Sequence, residues 1–261
     1  MFLNEEFLKI VVFLGLAVEK GSTNVPIDLK GTGFLFAKQM TGASLGSGAI
    51  FLVTAKHVAL GLGSEFSVLM NGKLGGTGAI GFVDAQWIFH DDPSIDIALI
   101  RMPPKILDYD AKWILEQDFL TDEMLEKHKV GIGDEVQMIG LFSRAPGKSQ
   151  ISPVVRSGAV AMLPKEKVPS QIGDIEAYLV EARSLGGMSG SPVFARSTIV
   201  LSTDVGPLCG TGPACLIGVV HGHWSIPVED EVSKAQHVNL GLALVVPAKF
   251  ILEIAEKHLS G

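Results

Sequence analysis

Short apolar runs rich in β-branched and aromatic residues recur along the first part of the chain, broken by Gly, Pro, Ser or Asn: Val11–Val18, Gly33–Ala37, Ala49–Thr54, Glu65–Met70, Ala85–Phe89 and Ile95–Met102. Runs of this length between turn formers predict strands of an all-β barrel or sandwich. After Pro103-Pro104 the pattern changes. Leu107 to Lys129 is rich in Asp, Glu, Lys, Leu and Met, with apolar residues near helical spacing around Trp113, Leu115, Phe119, Met124 and Leu125, which predicts a partly helical connector. From Glu135 the strand rhythm resumes in Glu135–Leu141, Pro153–Met162, Ile175–Ala182, Pro192–Phe194, Leu216–His221 and Leu240–Val246. Pro247 to Leu259 then opens on proline and puts Phe250, Ile251, Ile254, Ala255 and Leu259 on one face, the pattern of an amphipathic terminal helix. The chain thus divides into an N-terminal β-domain (1–105), a connector (106–130) and a C-terminal β-domain with its helix (131–261).

Composition narrows the function classes. The 261 residues are 47% hydrophobic and 19% charged with 30 glycines, which fits a folded chain with many tight turns. A net charge of −7 without any Lys/Arg-rich run argues against nucleic acid and anionic lipid as partners. With two cysteines, Cys209 and Cys215, there is no disulfide framework, and a reducing, cytoplasmic compartment suits the chain. The apolar segment Ile10 to Val18 follows Glu5 and Glu6 as well as Lys9, has no small-residue cleavage pattern after it and is too short to span a bilayer, so it is read as a buried strand and no membrane association is expected.

Three local motifs carry candidate chemistry. Leu52-Val53-Thr54-Ala55-Lys56-His57-Val58 is a strand ending in a turn that presents a histidine. Ser94-Ile95-Asp96-Ile97-Ala98-Leu99-Ile100 sets one carboxylate at the head of an apolar strand. Gly186-Gly187-Met188-Ser189-Gly190-Ser191-Pro192 is a glycine-rich turn entering a strand. Acyl transfer to serine needs a base for the hydroxyl proton, a carboxylate that fixes the base's tautomer and backbone donors aimed at the oxyanion. Ser189, His57 and Asp96 are the candidate serine, base and carboxylate. The N–H groups of Gly187 and Ser189 are the expected oxyanion donors, and glycine there permits the dihedrals and the space that such a turn requires.

Thr54-Ala55-Lys56-His57, Asp96-Ile97-Ala98-Leu99 and Gly187-Met188-Ser189-Gly190-Ser191-Pro192 resemble the histidine, aspartate and serine motifs of the trypsin/chymotrypsin superfamily, in that superfamily's order. The resemblance is nearest to bacterial trypsin-like domains without disulfides, akin to high-temperature-requirement proteases, and covers roughly residues 8 to 250, with no PDZ-like domain after it. It implies two six-stranded antiparallel β-barrels with the site between them, a serine endopeptidase acting through an acyl-enzyme on Ser189, a peptide or protein substrate and no cofactor. Met188 stands where digestive members often carry an acidic residue that pairs with a newly cut N-terminus, so maturation of that kind is not expected. Ser191 replaces the second glycine of the motif, and Lys56 a smaller residue. A lipase-type hydrolase is excluded because it needs glycine at position 191 and places serine before its acid and base.

By the same resemblance, Gly218-Val219-Val220-His221-Gly222-His223 lines the substrate cleft and pairs with an extended peptide, with His221 and His223 on one strand face and Gly222 allowing close approach. The resemblance also brings Arg183 toward the floor of the primary specificity pocket. No metal is expected at the histidines, because the spacing of Cys209 and Cys215 matches no zinc signature. Asp91 and Asp92 are alternative orienters of His57. The competing reading is a peptide-binding module on the same fold that is catalytically silent or needs an activating protein partner.

Overall fold

The computed structural model describes residues 4–17, 27–39, 48–121, 130–182, 186–203, 206–230 and 233–260, with backbone only at 17, over 197–203, 206–213, 225–230 and 233–239, and at 260. A 3₁₀ turn over Glu5–Ile10, capped by the Asn4 side chain on the Glu6 N–H, leads into β1 (Val11–Ala17). β2 (Ile27–Gln39) and β3 (Gly48–Thr54) follow as an antiparallel pair, and α1 (Lys56–Leu62) then precedes β4 (Phe66–Asn71), β5 (Thr77–Phe82), β6 (Ile88–Phe89) and β7 (Ala98–Arg101). These strands form one curled sheet in the order β5-β4-β1-β2-β3-β7-β6, to which β8 (Ile114–Leu115) adds as a parallel neighbour of β2. Its path does not close among the described residues.

The second half does close. β9 (Glu135–Gly140), β10 (Val154–Met162), β13 (Tyr178–Glu181), β14 (Pro192–Thr203), β15 (Gly206–Asp230) and β16 (Ser233–Pro247) form a six-stranded barrel in the order β10-β13-β16-β15-β14-β9. Between β10 and β13 a separate hairpin, β11 (Lys167–Ser170) with β12 (Gly173–Glu176), stands off the barrel. α2 (Lys249–Ser260) ends the chain.

The pattern of burial explains why the strands of the first half read as continuous apolar runs rather than alternating ones. In β1, Val11 and Phe13 enter one core cluster while Val12 and Leu14 enter another. Phe34 and Phe36 against Leu35, and Phe51 and Val53 against Leu52, divide in the same way. One face fills the interior of the N-terminal sheet. The other meets residues of the C-terminal barrel and its helix, among them Ile139, Phe194, Leu216, Val246 and Ile254, so a single apolar layer joins the two halves. Each such buried side chain contributes about 1.5–3 kcal/mol of transfer free energy. The interior of the closed barrel is a third cluster built on Val136, Met138, Val160, Val180, Val193 and Val245, and Met188 belongs to it.

The terminal helix buries the face expected of it, Phe250, Ile251, Ile254 and Ala255, and reaches back to the first half through polar contacts. Glu256 and Glu116 each accept from the Lys38 ammonium at 2.9 Å, Glu253 meets His90 Nε2 at 3.1 Å, and Lys257 pairs with Asp91. Burial works against the charge on Lys38, but the two carboxylates outweigh it and raise its pKa.

Several local expectations shift. The connector contains 3₁₀ turns at Pro104–Asp108 and Glu116–Asp118 and the short strand β8, while Met124 and Leu125 lie outside the described residues. The run Ala85–Phe89 is strand only at Ile88–Phe89, because Asp84 takes a left-handed turn (φ 54°) and Trp87 stacks on Phe66. Ile175–Ala182 is split at Ala177 into β12 and β13. Among the described residues no helix is long and apolar enough to cross a membrane.

Candidate active site

His57 is positioned by the end of β3. Its strand closes with Thr54, whose Oγ1 donates to the Thr32 carbonyl at 2.7 Å, and the chain then turns at Ala55 into α1, so that His57 is the second residue of a short helix at the boundary of the two halves. Asp96 stands two residues before β7, held between the buried side chains of Ile95 and Ile97, and is 1% exposed. Its carboxylate grips His57 at two points: Oδ1 accepts the His57 backbone N–H at 2.9 Å and Oδ2 meets Nδ1 at 2.8 Å. Because the ionised carboxylate can only accept, the neutral ring carries its proton on Nδ1 and leaves Nε2 as the free base.

The second histidine at this carboxylate was not legible in the sequence. His221, on β15, brings its own Nδ1 to 2.5 Å from the same Oδ2 and is 8% exposed. Burial by itself raises the Asp96 pKa, but hydrogen bonds from His221 and His57 outweigh that effect and hold it at about 2. The rings of His57 and His221 lie edge to face, 5.4 Å between centroids.

Ser189 follows a tight turn. Gly187 (φ 97°) and Gly190 (φ 86°) both adopt left-handed backbone, and a Cβ on Gly190 would fall on the Thr32 carbonyl oxygen and the Thr54 hydroxyl. Met188 between them is fully buried, anchoring the turn to the barrel interior. The turn is also fastened to β2: Thr32 Oγ1 donates to the Gly187 carbonyl at 2.7 Å and the Thr32 N–H donates to the Ser189 carbonyl at 3.0 Å. Thr32 is thus a second residue that the sequence did not mark. Among the described residues the N–H groups of Gly187 and Ser189 donate to no protein acceptor. Ser189 Oγ donates to the His221 carbonyl at 3.1 Å, and no hydrogen bond joins it to His57 in this resting arrangement.

His57, Ser189 and His221 line one cleft of about 480 Å³ together with Gly222, His223 and Trp224. Trp224 Nε1 donates to the Pro169 carbonyl at 2.9 Å, which pins the β11–β12 hairpin along the cleft wall. Among the described residues no Asp, Glu, Lys or Arg lines it. His223 is half-buried, and burial lowers its pKa. Arg183 lies outside the described residues. Asp92 caps the Ser94 N–H at 2.9 Å and Asp91 is tied to Lys257, so neither faces His57.

The ligating atoms of His57, Asp96 and His221 lie within 4.8 Å of one another, a donor set of the kind that holds a divalent transition ion. Their geometry is that of hydrogen bonds instead. Ligands about 2.0–2.2 Å from a tetrahedral ion stand more than 3 Å apart, whereas each imidazole nitrogen here is 2.5 to 2.8 Å from the carboxylate oxygen.

No protein-family model matches the sequence, and no curated protein matches it. Among solved structures, the apo MamO protease domain from Magnetospirillum magneticum superimposes with a TM-score of 0.54 at 17% identity, over 96% of this chain and 98% of that one. The fold is trypsin-like. An inactive serine-to-alanine mutant of Rv3671c from M. tuberculosis H37Rv is a more distant match, with a TM-score of 0.45 at 15% identity over 98% of this chain and 91% of that chain. In the trypsin-like fold described above, the first half carries His57 and Asp96, the closed barrel carries Ser189 and His221, and the cleft lies where the two meet.

Proposed function

We propose that the protein is a serine endopeptidase with Ser189 as nucleophile, His57 as general base and Asp96 as its orienter. The observation that carries this reading is the two-point grip of Asp96 on His57, which leaves Nε2 basic on the wall of the cleft that Ser189 also lines. Rotation about the Ser189 Cα–Cβ bond releases Oγ from the His221 carbonyl, and its proton passes to His57 Nε2 as Oγ attacks the scissile carbonyl carbon. The oxyanion that develops accepts from the N–H groups of Gly187 and Ser189, and the imidazolium that forms is stabilised by Asp96. His57 returns the proton to the leaving amine, the C–N bond breaks, and an ester on Ser189 remains. Water, deprotonated by His57, attacks the ester and frees the acid and the serine hydroxyl.

An extended peptide would lie along the backbone from His221 to Trp224 and add to it as a strand, with the β11–β12 hairpin on its other side. The described part of the wall, with the rings of His57, His223 and Trp224 beside Ile172, Leu244 and Gln171, suits uncharged side chains. One observation favours the second reading, of a binding module that is silent or awaits a partner: the resting Ser189 hydroxyl is engaged by His221 rather than by His57. Catalytic hydrogen bonds are often loose before substrate arrives, so the peptidase reading stands first. Incubation with a diverse peptide mixture, read by mass spectrometry, tests it. New termini should form with the native protein and be absent with Ser189→Ala and with His57→Ala. Equal cleavage by all three, or none by any, would overturn it.

A further inference from the structure

His221 joins three parts of the site from a single residue. Its carbonyl receives the Ser189 hydroxyl at 3.1 Å. Its strand is stapled to the nucleophile turn, since the Gly190 N–H donates to the Val220 carbonyl at 2.8 Å and the Val220 N–H donates to the Ser191 carbonyl at 2.9 Å. Its side chain then crosses from the C-terminal barrel to the carboxylate of the N-terminal half, 2.5 Å away.

From this geometry we infer that His221 is a positioning residue of the catalytic machinery: its Nδ1–H fixes the Asp96 carboxylate in place and keeps it anionic for His57. Asp96 is 1% exposed and has lost its water. An anion in such a place must be compensated by donors or it takes up a proton. His57 supplies two donors, but both sit on the group whose basicity Asp96 must support. His221 supplies a third from an independent element, on the same Oδ2 that holds the ring of His57. A protonated Asp96 would free Nδ1 of His57 to exchange tautomers, and an unsupported one could turn away from it. The donor from His221 opposes both, and because it belongs to the barrel that carries Ser189 it also ties the nucleophile's half of the site to the base's half. The same bond sets the His221 tautomer, so both neutral rings keep their protons on Nδ1 and direct them to one oxygen.

Its catalytic part rests on the peptidase reading, and the test separates the two. His221→Asn keeps a side-chain N–H near the position of Nδ1, whereas His221→Leu keeps a branched side chain of similar bulk and no donor. With a fluorophosphonate probe, His221→Leu should lower the limiting rate of adduct formation at Ser189 by about tenfold or more, in keeping with loss of a hydrogen bond to a charged group. Its half-saturating probe concentration should change little, and His221→Asn should stay within about threefold of the native rate. A spectroscopic reading needs no turnover: the native protein should show two low-field Nδ1–H proton resonances in ¹H NMR, both shifted in Asp96→Asn, and His221→Asn should retain only that of His57. A single low-field imidazole resonance in the native protein, a His221→Leu variant that labels at the native rate, or a His221→Asn variant as slow as His221→Leu would each overturn the inference. If the native protein takes up no probe while showing both resonances, the peptidase reading fails and the shared carboxylate stands.

Discussion

Thr32 Oγ1 donates to the carbonyl oxygen of Gly187 across 2.7 Å, linking a strand of the N-terminal sheet to the turn that presents Ser189. The same oxygen accepts the Leu141 N–H at 2.9 Å, and the Thr32 N–H holds the Ser189 carbonyl. The Gly187 carbonyl is held on that side, and among the described residues the N–H groups of Gly187 and Ser189 have no protein acceptor. Thr32→Val preserves the shape and removes both hydroxyl bonds, leaving the part-buried Gly187 carbonyl and the buried Leu141 N–H without this partner. We expect a loss of about 2–4 kcal/mol in urea unfolding, together with a fall of at least about tenfold in fluorophosphonate labelling.

Gly190 is the tightest point of that turn. A methyl group there would meet the Thr32 carbonyl oxygen and the buried, hydrogen-bonded Thr54 hydroxyl, and its φ of 86° is strained for any L-residue. Gly190→Ala should lower stability by about 2 kcal/mol or more and abolish labelling at Ser189. Thermal denaturation and intact-mass analysis check the two effects separately.

The three motifs were legible in the sequence because each is local. A strand that runs into Lys56-His57, a carboxylate between two isoleucines and a serine in a glycine-rich turn each stand out within seven residues, and the fold brings all three to one place. What escaped was set by long-range packing. Thr32, in a Gly-Thr-Gly triplet, gains its role only when a turn 155 residues later is brought against it. The direction of the His221 side chain follows a register shift between Val220 and Gly222 in the pairing of β15 with β16, which no alternation rule foretells. The connector read as helical because Trp113, Leu115 and Phe119 fall at helical spacing. In the fold, Ile114 pairs beside Phe36 instead, and Phe119 packs on the Phe36 ring with 4.7 Å between centroids.

Acid should expose the compensation of Asp96. Its pKa is held at about 2 in the folded protein against an ordinary value of 3.8, so the folded state binds this proton less readily than the unfolded chain. The resulting stabilisation is fully present above about pH 4 and is lost as pH falls toward 2; it is on the order of 2 kcal/mol. The stability difference between the native protein and Asp96→Asn, measured by urea unfolding from pH 6 downward, should therefore shrink across that window. Carboxylates elsewhere cancel in the difference.

Cys215 should be inert while the protein is folded. Burial, with a smaller effect from Asp134, pushes its thiol up to about 11, and its Sγ faces the Ala195 carbonyl. Iodoacetamide at pH 8 should leave the Cys215 peptide unmodified in the native protein and modify it fully in denaturant, as read by mass spectrometry after digestion.

The central claim is that His57, Asp96 and Ser189 act together as a nucleophilic centre, and the adduct formed with a fluorophosphonate tests it most directly, because the reaction requires an activated hydroxyl and a competent oxyanion site at once. Intact-mass analysis of the folded native protein should show a single added phosphonyl group, located at Ser189, with none on Ser189→Ala and a strongly reduced rate on His57→Ala. A folded native protein that remains unmodified under conditions that label an active serine peptidase would contradict the account.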